Sequence, residues 1–160
     1  MNIRLVAPND FPAVRSLVAA AFGRTDEADI VETVRTGGAA LVELVAEAGG
    51  EIVGHVLFNR MTCAPALLAA GLAPLAVAPS RQGQGIGAAL VRRGLDACRA
   101  RGAKGCVVLG APPYYGRFGF TAAPATIASP YAGLAAFQSL EFESGVFARP
   151  IAVQYPSAFG

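Results

Sequence analysis

The sequence predicts a mixed α/β (α+β) domain, and three observations carry that assignment. Hydrophobic residues make up 54% of 160 positions and charged residues only 15%, a composition that packs rather than staying disordered. Apolar residues recur at helical spacing in some segments and form short strand-like runs in others. Glycine and proline stand at the boundaries between them. At 16.3 kDa, with no internal repeat and no low-complexity tail, residues 1–160 read as a single domain.

Ile3–Ala7 reads as a first strand closed by Pro8. Asn9 or Asp10 can cap a helix carrying Phe11, Val14, Leu17, Val18, Ala21 and Phe22 at helical spacing. A second helix is expected over Asp26–Arg35, with Ile30, Val31 and Val34 inward and Gly37-Gly38 ending it. Leu41–Ala48 and Glu51–Met61 flank Gly49-Gly50, a strong signal for a two-residue hairpin. Gly71–Val77 is apolar enough for a strand buried on both faces. A helix running to Arg101 follows, with Leu90, Val91, Leu95 and Cys98 on one side and Arg92, Arg93, Asp96 and Arg99 on the other. Gly102 is its natural C-cap, and Gly105–Leu109 gives the next strand. Beyond it Pro112, Pro113, Pro124 and Pro130 break the chain into short pieces, with Phe137–Phe142 and Val146–Phe147 expected as strands.

Several function classes are disfavoured by composition. A net charge of +2 without dense Lys/Arg clustering gives no reason to expect a nucleic-acid partner. Cys63, Cys98 and Cys106 form no C-x-x-C pair, which fits reduced thiols; with a single histidine, no metal site is expected. Met61–Ser80 carries no charge, but Pro65, Gly71, Pro74 and Pro79 interrupt it, so a buried loop and strand is expected rather than a membrane span. The apolar run near Met1 is too short for a signal peptide, and a cytoplasmic protein, monomer or homodimer, is expected.

The chemistry-bearing segment is Val77-Ala78-Pro79-Ser80-Arg81-Gln82-Gly83-Gln84-Gly85-Ile86-Gly87-Ala88. A strand ends, a loop with three glycines turns, and a helix begins. Side chains are absent where phosphates would approach, and backbone N–H groups converge with the positive end of the helix dipole. The competing assignment is a tight turn that merely needs glycine. Gly83-x-Gly85-x-x-Ala88 formally fits a dinucleotide fingerprint, yet five residues separate Val77 from Gly83. The next strand, Cys106–Gly110, also ends without a ribose-binding acid. No phosphate-loop Gly-Lys-Ser/Thr is present.

Gln82-x-x-Gly85-x-Gly87 resembles the Q/R-x-x-G-x-G/A acetyl-CoA motif of the GNAT N-acetyltransferase superfamily. Leu72–Pro79 is similar to that superfamily's fourth strand, and Tyr114-Tyr115-Gly116-Arg117-Phe118-Gly119-Phe120 to the Y-x-x-x-G-F pattern after its fifth. The resemblance spans nearly the whole chain and is greatest to a group of predicted bacterial acetyltransferases with a Pro-x-Tyr-Tyr-x-Arg-Phe-Gly-Phe stretch. It implies a mostly antiparallel central sheet of six to seven strands, helices on both faces, and fourth and fifth strands that splay to admit acetyl-CoA. It further implies cosubstrate contacts at Leu75, Ala76, Val77, Gln82, Gly83, Gln84, Gly85, Ile86, Gly87 and Ala88, with a backbone donor at Leu75 or Ala76 facing the oxyanion. Pro74 fits a bulge in the fourth strand or, alternatively, the start of a shorter strand. Tyr115 is implied as proton donor to the departing thiolate; the competing role is ring packing with its hydroxyl on a backbone carbonyl. Tyr114 is assigned to the wall, and Arg81 is a surface charge within reach of a phosphate.

The chain departs from the family pattern in two places. Only five residues separate Leu109 from Tyr115, so the intervening helix must be short, and Gly110-Ala111-Pro112 replaces an Asn often found there. The fourth strand carries no carboxylate base. His55, in Gly54-His55-Val56-Leu57-Phe58, is the alternative candidate base or water relay, against a packed, hydrogen-bonded role; Glu27, Glu141 and Glu143 are further candidates. The expected function is direct acetyl transfer from acetyl-CoA to a primary amine of a small molecule or peptide. The alternative is a catalytically silent acyl-CoA-binding sensor or interaction domain.

Overall fold

Alternation in the two longest strands decides how the layers stack. In the computed structural model, which describes residues 1–160, β2 (Ala40–Ala48) and β3 (Glu51–Ala64) form the expected hairpin across Gly49-Gly50, with Ala48 opposite Glu51. Leu44, Ala46, Val56 and Phe58 point to one face and pack under α3 (Ile86–Ala100). Val45 and Leu57, one residue out of step, point to the other face under α1 (Phe11–Phe22) and α2 (Asp26–Thr36). Both faces of the central strands are therefore buried.

The main path is β1 (Asn2–Leu5), β2, β3, β4 (Ala69–Val77), β5 (Gly105–Leu109), β8 (Phe137–Glu141) and β6 (Thr121–Ala122). These seven strands are antiparallel neighbours throughout, except for the parallel β4/β5 pair. The expected mostly antiparallel sheet with helices on both faces is present. Two short strands lie off the path: β7 (Ile127–Ala128) pairs with β9 (Ile151–Gln154), and β9 pairs with the far end of β3 at Thr62–Ala64. The segment Val146–Phe147, expected as a strand, is instead a turn. Val146 N–H bonds to the Glu143 carbonyl at 3.1 Å, and Phe147 N–H bonds to Glu141 Oε2 at 2.9 Å. This turn drops the Phe147 ring into a core with Val107, Ile127 and Ile151.

Two glycines let α3 sit close to the sheet. A Cβ at Gly94 would run into the Phe58 ring, and one at Gly54 would lie 2.8 Å from both Ile86 and Leu90. This close seating sets the N-terminus of α3 against the end of β4.

Strands β4 and β5 pair only at Ala70–Leu72 with Cys106–Val108 and then part, as the expected splay requires. At the same level β4 bulges: Val56 opposes Leu75 and Phe58 opposes Leu72, so Ala73 and Pro74 together face Leu57. Pro74 thus occupies a bulge inside a longer strand rather than the start of a shorter one. The chain after β5 makes one helical turn, α4 (Pro112–Tyr115), as short as the spacing demanded.

Candidate active site

The splay leaves part of β4 without a neighbour, and strand parity says which groups it frees. Ala78 N–H bonds to Val53 of β3 at 2.9 Å. Because backbone groups alternate in direction along a strand, Ala76 also faces β3, whereas Leu75 and Val77 direct their N–H groups into the gap. Of the two donors expected for an oxyanion, the gap therefore offers Leu75, and Ala76 is committed to the sheet. Asn59 of β3 holds the bulge in shape. Buried completely, it donates from Nδ2 to the Gly71 carbonyl at 3.1 Å and the Ala73 carbonyl at 3.0 Å, just ahead of Pro74.

Two cavities flank the gap with Leu75 as their common wall. The first, about 430 Å³, lies between the end of β4 and the start of α3. Leu75, Val77, Gln82, Gly83, Gly85, Ile86, Gly87 and Ala88 line it, which brings together eight of the ten residues expected to hold the cosubstrate. Ala76 is buried on the opposite face, and Gln84 is exposed to solvent outside the cavity. Gly83 and Gly85 have φ of +77° and +84°, a left-handed conformation costly for any side chain, and nothing lies within 4 Å of a Cβ placed on either. The loop is therefore an open bowl of backbone. Gln82 braces it by donating to the Val77 carbonyl at 3.2 Å.

Gly87 has a different reason for being glycine. A Cβ there would lie 2.8 Å from the Tyr114 hydroxyl, 3.5 Å from Val77 and 3.7 Å from Leu75. Tyr114 is wall, as expected, and its hydroxyl rests on the first turn of α3. Arg81 and Arg117 add positive charge to the rim, the Arg117 guanidinium lying 4.4 Å from the Tyr114 ring centroid. Arg117 stands within the Tyr-rich motif, so its presence is legible in the sequence; that its charge reaches the bowl is visible only in the fold. The bowl, the helix N-terminus and two arginines suit a pyrophosphate.

The second cavity, about 360 Å³, is built from scattered segments: Phe22 of α1, Glu27 and Ile30 of α2, Leu72 to Leu75 of β4, Leu109, Tyr115 and Phe159. Ile30, expected inward, is only partly buried because it faces this space, and Phe22 ends α1 exposed at its mouth. Tyr115 packs its ring over Gly110, where a Cβ would collide with it, and makes edge contacts with Tyr114 and Phe120. Burial, then the neighbouring Tyr114 and Cys106, pushes its phenol up to about 12. Of the three further carboxylates, Glu27 alone borders this cavity. Glu141 is held by the Phe147 N–H, and Glu143 lies 3.6 Å from Lys104 on the surface.

His55 stands apart from the other candidates. Strand alternation sends its side chain under α1 and α2, between Val45 and Ala76, where it is fully buried and borders neither cavity. Its Nε2 lies 2.9 Å from Glu43 Oε1, and Arg35 grips the same carboxylate at 2.6 and 3.1 Å. Burial would raise the Glu43 carboxyl, but the bonds from His55 and Arg35 outweigh it and hold the group below the usual carboxylate range. An ionised carboxylate only accepts, so Nε2 carries the proton here. The packed, hydrogen-bonded alternative describes this geometry. No three His, Cys, Asp or Glu side chains converge as a metal site would need, and no helix is long and apolar enough to cross a membrane.

Residues 2–123 match the acetyltransferase (GNAT) domain family. Over 117 residues the chain is 38% identical to the uncharacterized N-acetyltransferase YjhQ of Escherichia coli K12, covering 70% of this chain and 65%, just under two thirds, of that protein. Over 122 residues it is 37% identical to the uncharacterized N-acetyltransferase YhbS of the same organism, covering 75% of this chain and 73% of that one. A GNAT family acetyltransferase from Brucella melitensis, solved in complex with acetyl-CoA, is similar over 99% of this chain and 97% of its own, at 36% identity and a TM-score of 0.84. Escherichia coli YhbS, solved in complex with CoA, is similar over 99% and 91%, at 32% identity and a TM-score of 0.91. With the family match, the glycine bowl and the splayed strands in agreement, this chain belongs to the GNAT acetyltransferase family.

Proposed function

We propose that this protein transfers the acetyl group of acetyl-CoA directly to a primary amine. The observation that carries the proposal is the pair of cavities sharing Leu75 as a wall, with Tyr114 bordering one and Tyr115 the other. A thioester lying through the gap would present its carbonyl to the Leu75 N–H and its pyrophosphate to the bowl at Gly83–Ala88, beside Arg81 and Arg117. The amine, once it has lost its proton to water, attacks from the second cavity and forms the N–C bond and the oxyanion. Collapse breaks the C–S bond, the sulfur takes a proton from Tyr115, and the amine's surplus proton leaves to solvent, from which Tyr115 is reprotonated. Leu75 N–H stabilises the oxyanion, a role in which one lost donor typically costs about 10²–10³ in rate.

Tyr115 faces the departing sulfur. A phenol raised to about 12 is a reluctant donor, but the burial that raises it also destabilises a thiolate beside it, and only the difference between them sets the driving force. No Cys or Ser lines either cavity, and burial pushes all three thiols, Cys63, Cys98 and Cys106, upward, so transfer proceeds without a covalent enzyme intermediate. His55 acts at a distance, fixing β3 against α2 through Glu43 and Arg35.

Thiol release from acetyl-CoA in the presence of a panel of primary amines, with calorimetry for acetyl-CoA itself, tests the proposal. Amine-dependent release with formation of an N-acetyl product is the expected result. Tight acetyl-CoA binding without release for any amine would point instead to a silent acyl-CoA-binding domain.

A further inference from the structure

The amine itself leaves a trace in the second cavity. Eight of its ten lining residues are hydrophobic, Glu27 is the only charged one, and the aromatic rings of Phe22, Tyr115 and Phe159 contribute to the wall. Arg24 binds both oxygens of Glu27, Nε to Oε1 at 2.8 Å and Nη2 to Oε2 at 2.6 Å. The two partners differ in exposure: the Arg24 side chain is 62% exposed and that of Glu27 only 14%. Glu27 lines the cavity and Arg24 does not, so the pair meets the cavity through its anionic partner and the solvent through its cation. The Arg24 hydrogen bonds, opposed by burial, hold Glu27 below the usual carboxylate range, so it is anionic at neutral pH. A carboxylate has about four acceptor positions, and Arg24 occupies two of them.

We infer that the acceptor is a monocationic primary amine carried on a compact apolar or aromatic body, with its ammonium drawn in by Glu27. This rests on the acetyl-transfer reading above. The cavity, about 360 Å³, falls at the low end of the roughly 300–1,000 Å³ typical of small-molecule sites. Beside Arg24, Glu27 keeps two acceptor positions, enough to receive one ammonium, and the aromatic walls favour both a cation and a ring. A second ammonium on the same molecule would be stripped of water against leucine, proline and phenylalanine with no counter-charge. A phosphate or carboxylate on the acceptor would face Glu27 with no cation lining the cavity to receive it. Because Glu27 stabilises the ammonium, it binds the acceptor and does not activate it; the attacking free base forms when that proton passes to water.

The test compares the catalytic efficiency, kcat/KM, on phenethylamine and tryptamine with that on spermidine, kanamycin and glucosamine 6-phosphate, using thiol release and detection of the N-acetyl product. The aromatic monoamines are expected to lead by at least tenfold. Glu27→Gln is expected to weaken phenethylamine recognition, raising its KM by about tenfold, the usual scale of a charge-assisted hydrogen bond, while kcat and the Kd for acetyl-CoA hold steady. Faster turnover of spermidine, kanamycin or glucosamine 6-phosphate would overturn the acceptor class and leave acetyl transfer standing. An unchanged KM in a folded Glu27→Gln protein would remove Glu27 from recognition in the same way. A wild-type protein that binds no acetyl-CoA, or acetylates none of the five amines, would overturn the acceptor class together with the transferase reading on which it rests.

Discussion

The two cavities that meet at Leu75 are built on opposite plans. The first comes from one unbroken stretch of chain, the end of β4, a glycine loop and the first turn of α3, together with Tyr114 and Arg117. Its recognition elements are mostly backbone, and their direction follows from φ at Gly83 and Gly85. The second gathers side chains from α1, α2, β4, the end of β5, α4 and the last residues of the chain. Backbone donors in a short loop suit a ligand group that never changes, such as a pyrophosphate. Side chains from six segments can be exchanged one at a time, which suits a pocket shaped to one particular acceptor.

Substitutions at the boundary should separate the two plans, and the largest effect is expected at Tyr115. Tyr115→Phe keeps the ring over Gly110 and removes only the hydroxyl, so kcat is expected to fall by about 10²–10⁴ with acetyl-CoA affinity nearly unchanged. Normal turnover in a stable Tyr115→Phe protein would leave the tyrosine as wall and water as the donor. Its pH profile carries a second check. With the phenol pushed up to about 12, Tyr115 stays protonated across the working range. The rate should therefore climb as the amine loses its proton and then level off. A descending limb below about pH 10, the ordinary phenol value, with the protein still folded, would contradict that protonation state.

Gly87→Val attacks the first cavity alone. The added side chain meets the Tyr114 hydroxyl, Val77 and Leu75, so calorimetry should show acetyl-CoA affinity lower by about tenfold to several hundredfold, one to a few kcal/mol. An unchanged Kd in the folded variant would mean the cosubstrate does not pass over the start of α3. Asn59→Ala reaches the boundary from behind. A buried and a part-buried carbonyl lose their donor, which typically costs about 1–3 kcal/mol of stability, read from a denaturant titration. Freed from Asn59, the bulge should also let the Leu75 N–H drift and lower kcat more than it raises the KM for acetyl-CoA. The smallest effect is expected for Arg117→Ala, a few-fold loss of acetyl-CoA affinity that shrinks further at high salt, since the arginine sits on an open rim.

The same contrast explains what could be read from the sequence. The β2/β3 hairpin, α3 and the glycine loop are contiguous, and each carries its own local signal, so their positions followed from spacing. Ile151–Gln154 did not: it is four residues between Pro150 and Pro156, and it becomes a strand only because Thr62–Ala64, some ninety residues earlier, lies beside it. Val146–Phe147 looks like a strand because it is apolar, but its apolar character serves a turn that anchors a ring in the core. Within the site, Ala76 and Leu75 are indistinguishable by composition, and only the Ala78 bond to Val53 establishes which of them faces the gap. His55 stands out in the sequence as the lone histidine. Its partner Glu43 lies twelve residues away and that carboxylate's other partner, Arg35, twenty, and their convergence under α1 has no trace in local pattern.

The parting of β4 from β5 also bears on how the protein behaves without its cosubstrate. Inside an otherwise paired sheet it creates an interior edge, with the Leu75 and Val77 N–H groups wetted by the cleft instead of answered by another strand. Proteins usually cap such edges with more chain; here a cosubstrate arm bearing amide groups would answer the free N–H groups of β4 in place of a strand. Binding and folding then become linked quantities. A cosubstrate at about a hundred times its Kd adds about 2.7 kcal/mol to the folded state, so Tm should rise steadily with acetyl-CoA concentration, and the β4 edge should be where amide exchange slows most.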